Sequence, residues 1–116
     1  MRTEEYSLPI ELPDPIATFF AVSNDADADA LERCFTDDAL VHDEGHAHLG
    51  REAIAAWLRE VQRKFAYRTE PLHAVQEGSL VRVRARVTGT FPGSPVELEH
   101  EFRLGDGGIE SLEIHS

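Results

Sequence analysis

Two titratable side chains on separate predicted strands carry most of the chemistry in this sequence, Asp43 and His100. Asp43 follows Ala39 and Val41 at two-residue spacing. Strand side chains alternate faces with that period, so the carboxylate points into the core with those two residues. A carboxylate in apolar surroundings is costly unless paired or protonated, and its pKa rises. That makes Asp43 a candidate general base or acid near neutral pH. His100 interrupts an apolar row between Leu98 and Phe102. Alone it reads as a core histidine with one hydrogen bond; beside an inward Asp43 it reads as half of a shared pocket, able to donate or relay a proton. His42, His46 and His48 crowd round Asp43 and Glu44. Imidazole and carboxylate together suit zinc or a similar ion. The stretch matches no standard metal-site spacing, however, and reads as a solvated rim at a cavity mouth, so no metal is expected.

The elements that must position these groups follow from periodicity. Pro13-Asp14-Pro15 opens a first helix, with Asp14 as cap and Pro15 at the first helical position. Ile16, Phe19, Phe20 and Ser23 form its inward face. A short second helix is capped by Asp27 and turns Leu31, Cys34 and Phe35 inward. Cys34 is the one cysteine, which excludes an internal disulfide and any multi-cysteine metal site; it reads as a small core residue. Strand 39–43, a turn at Glu44-Gly45 and strand 46–49 lead into a third helix over 51–65. Ile54, Trp57 or Leu58, Val61 and Phe65 make the stripe of a helix laid on a sheet. Strands at 67–76, 79–91, 96–104 and 109–115 complete a meander. Helices first and antiparallel strands afterwards is an α+β pattern.

The hairpin 79–104 fixes its own register. Val81, Val83, Ala85 and Val87 alternate with Arg82, Arg84 and Arg86, while Val96, Leu98, Phe102 and Leu104 alternate with Glu97, Glu99 and Glu101. Joining the apolar faces sets arginines opposite glutamates outside, each pair contributing roughly 0.2–1 kcal/mol. The ladder accounts for the arginines without nucleic acid. A net charge of −11, from 22 acidic against 11 basic residues, also argues against nucleic acid or an anionic membrane as partner. No apolar run approaches the roughly 20 residues that cross a bilayer, and residues 1–15 lack the form of a secretory signal, so a cytoplasmic location is expected. At 116 residues the chain reads as an extended arm over 1–12 and one domain over 13–116.

The runs F-T-D-D-A-x-V-x-D, G-R-E-A-I-A-A-W-L, G-T-F-P-G-S-P-V and F-R-L-x-x-G-G-I, between Phe35 and Ile109, together resemble the nuclear transport factor 2-like superfamily, in its SnoaL-like and ketosteroid isomerase-like branch. The resemblance covers about Pro15 to Ile114 and implies a strongly curved antiparallel sheet wrapped by three helices into a cone. It also implies a cavity at the open end and a homodimer packed through the sheet. By this resemblance Asp43 falls where ketosteroid isomerases keep their base, Phe19 at the tyrosine donor and His100 at the oxyanion aspartate. The base is kept, one donor is lost and one is replaced. The Asp–His dyads of dehydrochlorinases and scytalone dehydratases find no matching positions. Limonene epoxide hydrolases need an arginine, and Arg103 is predicted outward; SnoaL cyclases carry an aspartate on a late strand where this chain has a histidine. The implied function is a cofactor-independent isomerase, cyclase or dehydratase acting on a small apolar molecule, with Phe19, Trp57 and Phe102 shaping the pocket. The alternative is a non-catalytic ligand-binding or dimerisation module.

Overall fold

The computed structural model describes residues 3–6, as backbone only, together with 11–25 and 27–116 in full. Three helices, α1 (Asp14–Asn24), α2 (Ala28–Glu32) and α3 (Arg51–Phe65), pack on seven strands. The strands are β1 (Thr3–Tyr6), β2 (Phe35–Asp43), β3 (His46–Leu49), β4 (Arg68–Glu77), β5 (Leu80–Thr88), β6 (Val96–Gly105) and β7 (Gly108–His115), in sheet order β1-β4-β5-β6-β7-β2-β3. β1 and β3 are its edges, so the sheet is open rather than closed into a barrel.

Four details depart from the sequence reading. Part of the expected arm, Thr3–Tyr6, is a strand paired antiparallel to β4; residues 1, 2 and 7–10 of that arm lie outside the described residues. The cap of α1 is Pro13 rather than Asp14, which is already helical and makes no side-chain cap. β2 begins at Phe35, before the Asp37-Asp38 pair expected to separate helix from strand. The sheet is also not wholly antiparallel, because β2 runs parallel to β7, joining Phe35 to Ile109 and Asp43 to Ile114 with an irregularity between them. Gly108 belongs to that junction. A Cβ there would come within 2.6 Å of the Cys34 carbonyl oxygen, and its φ of 133° is one that other residues rarely adopt.

The hairpin register is as the alternation dictates: Arg82 faces Glu101, Arg84 faces Glu99 and Arg86 faces Glu97. Arg82 and Arg84 close ion pairs of 3.1 Å with Glu101 and Glu99, whereas Arg86 reaches Glu70 of β4 at 3.4 Å instead of Glu97. The opposite face of the same strands supplies Val81, Val83, Ala85 and Phe102 to a core shared with Ile16, Phe19 and Phe20 of α1, and Ile54 and Leu58 of α3. Asp27 caps α2 by accepting from the Ala30 amide at 3.0 Å. Cys34 is buried, and burial raises its thiol pKa, in keeping with a core role. Arg51, the first residue of α3, donates to the Phe35 carbonyl at 2.8 Å and pairs with Asp37 at 2.8 Å. Gly50 donates to the Ala39 carbonyl at 2.8 Å. These bonds tie the start of α3 to β2 and so fix the helix that carries Trp57 against the strand that carries Asp43.

Candidate functional site

Asp43 is the last residue of β2, on the face that buries Ala39 and Val41. The indole Nε1 of Trp57 donates to its Oδ2 at 3.0 Å. No hydrogen bond among the described residues reaches Oδ1. One oxygen is therefore anchored and the other has a free lone pair, which suits a positioned base. Burial pushes the carboxyl pKa up, the indole hydrogen bond draws it down, and neighbouring Glu44 adds to the rise. His46 lies opposite Asp43 across the β2–β3 turn and His48 opposite Val41, so both imidazoles share Asp43's face. The His48 ring lies 5.9 Å from Trp57, and burial lowers its pKa.

His100 comes from the middle of β6, opposite Val83 on one side and Ile114 on the other. It is 4% exposed, its ring lies 5.4 Å from Phe20 and stacks on Phe102, and Nδ1 has no hydrogen-bond partner. Burial pushes its pKa down to about 4, so the ring is neutral at pH 7 and presents one N–H and one lone pair.

Asp43 and His100 line one half-open cavity of about 840 Å³ between α1, α3 and the inner face of the sheet. Its walls are mostly apolar, with Phe19, Trp57, Val61, Phe65, Val87, Phe91, Leu98 and Ile114 among the lining. The volume is within the range of about 300–1,000 Å³ common for small-molecule sites. A second depression of about 650 Å³ adjoins it and shares Asp43, Glu44, Leu98, Ile114 and Ser116. Of the expected pocket-shaping residues, Phe19 and Trp57 line the cavity. Phe102 does not: it is fully buried behind the wall, 5.4 Å from Phe19 and 5.8 Å from Phe20, and supports the ring that Phe19 presents.

The residue that sequence reasoning missed is Tyr67. Ala66 adopts the left-handed conformation at the end of α3, with φ 47° and ψ 47°, and the reversal brings Tyr67 and Thr69 into the cavity lining. Their two-residue spacing puts both on one face. The sequence signal was available, in an aromatic hydroxyl two residues past the helix whose middle carries the base-anchoring tryptophan. Its burial and the nearby Asp43 carboxylate both push the phenol pKa up. Phe65 and Phe91 of the rim were also unassigned; they meet edge to face with centroids 5.9 Å apart.

His42, His46 and His48 do not converge. Among the described residues, only Glu101, Glu113 and His115 bring three ligand atoms within 4.8 Å of one another, on the outer face. Arg82 already neutralises Glu101 there, and His115 approaches it at 3.4 Å. No helix is long and apolar enough to cross a membrane among the described residues.

The SnoaL-like domain matches residues 16–111. A Sinorhizobium meliloti protein described as a candidate polyketide cyclase is 42% identical in sequence, with 90% of this chain and 95% of that one covered at a TM-score of 0.87. A Catenulispora acidiphila protein with a ketosteroid isomerase-like fold, solved with trimethylamine, is 20% identical over 91% and 87% of the two chains, with a TM-score of 0.81. A cystatin-fold protein from Novosphingobium aromaticivorans is 22% identical over 89% and 96%, with a TM-score of 0.76. The latter two similarities are of fold. No curated protein matches the chain.

Proposed function

The chain belongs to the SnoaL-like domain family, and from that membership we propose that it is a cofactor-independent acid–base enzyme acting on a small, largely apolar carbonyl compound. Asp43 takes a proton from the carbon next to the carbonyl, and neutral His100 donates to or relays from the oxygen. Isomerase, cyclase and dehydratase reactions all begin or end with that transfer. The observation that carries the reading is one apolar-walled cavity holding both groups, with Trp57 fixing one oxygen of Asp43 and leaving the other free. The description of the Sinorhizobium meliloti relative as a candidate cyclase supports it. A homodimer through the outer face of the sheet is part of the same proposal, and sedimentation across a concentration series reads it.

The test is proton exchange. A panel of apolar cyclic ketones and β-keto esters is incubated in deuterated buffer and followed by NMR. The wild-type protein accelerates exchange at the carbon next to the carbonyl, and Asp43→Asn loses the acceleration while staying folded. A panel in which no compound exchanges above buffer, or an Asp43→Asn protein as active as wild type, removes the enzyme reading. Phe19, where a hydroxyl donor would be expected, favours the second reading, a non-catalytic binding module of the same fold. That module would bind such compounds without exchanging their protons.

A further inference from the structure

Five aromatic rings line the cavity, those of Phe19, Trp57, Phe65, Tyr67 and Phe91, together with the carboxylates of Asp43, Glu44 and Glu97. Among the described residues no lysine or arginine lines it. The adjoining depression repeats the pattern, adding Glu113 to Asp43 and Glu44. His42 and His115 also line that depression, and His115 is engaged by Glu101 at 3.4 Å. Two cations approach from outside. Arg84 reaches Glu97 at 3.9 Å but lies closer to Glu99, at 3.1 Å, and Lys64 lies 5.3 Å from the Phe65 ring. The hydrogen bond on Asp43 comes from a neutral indole, not from a cation.

We propose that this cavity selects an organic cation, an apolar body carrying a protonated amine, so that the substrate of the proposed reaction is an amino ketone. The amino ketone rests on the proton-transfer reading above; the selection by charge is a property of the cavity and stands without it. Aromatic faces carry the negative side of a quadrupole and attract an ammonium group, the more so when water is excluded. An ammonium entering such a cavity gives up its hydration, which is costly unless an opposite charge meets it. Asp43 and Glu44 supply that charge from one end of β2. A separate observation marks the interior as built for a ligand. His100 is 4% exposed and lines the same cavity, and the Leu98 carbonyl near its ring completes no hydrogen bond to Nδ1. That ring is neutral at pH 7, so it does not repel a cation.

An anion meets the opposite on every count. The ring faces and both carboxylates repel it, and no guanidinium or ammonium receives it inside. The net charge of −11 extends the same preference beyond the mouth, drawing cations towards the protein and holding anions off. Cation binding also serves the proposed base. Burial and Glu44 hold the Asp43 pKa up, and a positive charge in the cavity draws it back, so more of the base is ionised when the substrate is present.

The test puts three charges on one body: 4-phenylbutylammonium, 4-phenylbutan-1-ol and 4-phenylbutanoate. Trp57 is the only tryptophan and lines the cavity, so its fluorescence reports each binding event. At pH 7 and low salt the ammonium binds at least about tenfold tighter than the alcohol, and the carboxylate at least about tenfold weaker. Glu44→Gln combined with Glu97→Gln narrows the gap between ammonium and alcohol by at least about threefold and leaves the alcohol's own affinity within about twofold. Equal affinities for ammonium and alcohol, or tightest binding by the carboxylate, overturn the proposal. If none of the three binds, the pocket reading fails and this proposal fails with it. Proton exchange then separates selection from reaction: 1-methyl-4-piperidone, protonated at nitrogen, gains more over buffer than cyclohexanone does. An ammonium preference with exchange from neither ketone removes the amino ketone and the reaction while leaving the selection by charge in place.

Discussion

Strands β5 and β6 have two faces that treat polar groups in opposite ways. Outside, Arg82 and Arg84 meet Glu101 and Glu99 at 3.1 Å, and Arg86 meets Glu70 at 3.4 Å. Inside, His100 stands among apolar rings with Nδ1 unpartnered, and across the cavity Asp43 keeps one oxygen outside any hydrogen bond. The outer groups are numerous, solvated and mutually satisfied, so each is worth little. The inner ones are few and largely desolvated, and for His100 Nδ1 an unmade hydrogen bond in such surroundings costs about 1–3 kcal/mol. A fold keeps such groups where a ligand completes them.

The largest test of that contrast is Asp43→Asn. Proton exchange falls by at least about 10³-fold, while the melting temperature at pH 7 stays equal or rises. The sign follows from burial: a carboxyl with a raised folded pKa favours folding when protonated, and that contribution is lost as pH rises through the raised value. Asparagine still accepts from Trp57 and has no charge to bury. A large loss of stability would make Asp43 structural and put it in the same class as the ladder.

His100→Leu comes next. The folded pKa of about 4 lies below the ordinary 6.5, so the unfolded chain binds the proton first. His100 therefore adds stability above pH 6.5 that is lost as pH falls towards 4, about 3 kcal/mol in all. Urea unfolding through that range should fall more steeply for wild type than for His100→Leu. Parallel curves would mean that the ring finds water or a partner when charged.

Trp57→Phe removes the indole donor from Asp43 Oδ2 and lets the carboxyl pKa climb. The acid limb of the pH–rate profile should move to higher pH. An unmoved limb would show that the indole only fills space. Arg84→Ala is the smallest change. Both partners of its ion pair with Glu99 are partly solvated, so stability falls by under about 1 kcal/mol, less at high salt, and proton exchange is unaffected. A greater loss would mean that the outer face carries more than local pairing.

The ladder was legible because strict alternation over two long strands admits one register. The inward direction of Asp43 and His100 was legible for the same reason, and their meeting needed the family resemblance as well. Local pattern failed where the chain leaves regular structure. Asp37 and Asp38 look like a break, yet they are exposed residues in an irregular part of β2, and Asp37 is held by Arg51. The parallel β2–β7 pairing has no local signature, since each strand's alternation is the same whichever neighbour it takes. Phe102 looked like a cavity wall because alternation gives a direction without a depth; Phe19 and Phe20 cover it. Tyr67 escaped notice because its placement depends on a single left-handed residue, an alanine with no compositional mark of a turn.

That parallel pairing also sets when the site can exist. On its other side β2 has only β3, and a two-stranded ribbon is marginal in water. Within the sheet, Asp43 is therefore seated through Ile114 of β7, the last of its strands in chain order. While a ribosome is still making the chain, α1, α3 and the β4–β6 strands can gather an apolar hollow, with Asp43 held to it by α3 alone. The sheet that seats Asp43 is complete only with β7.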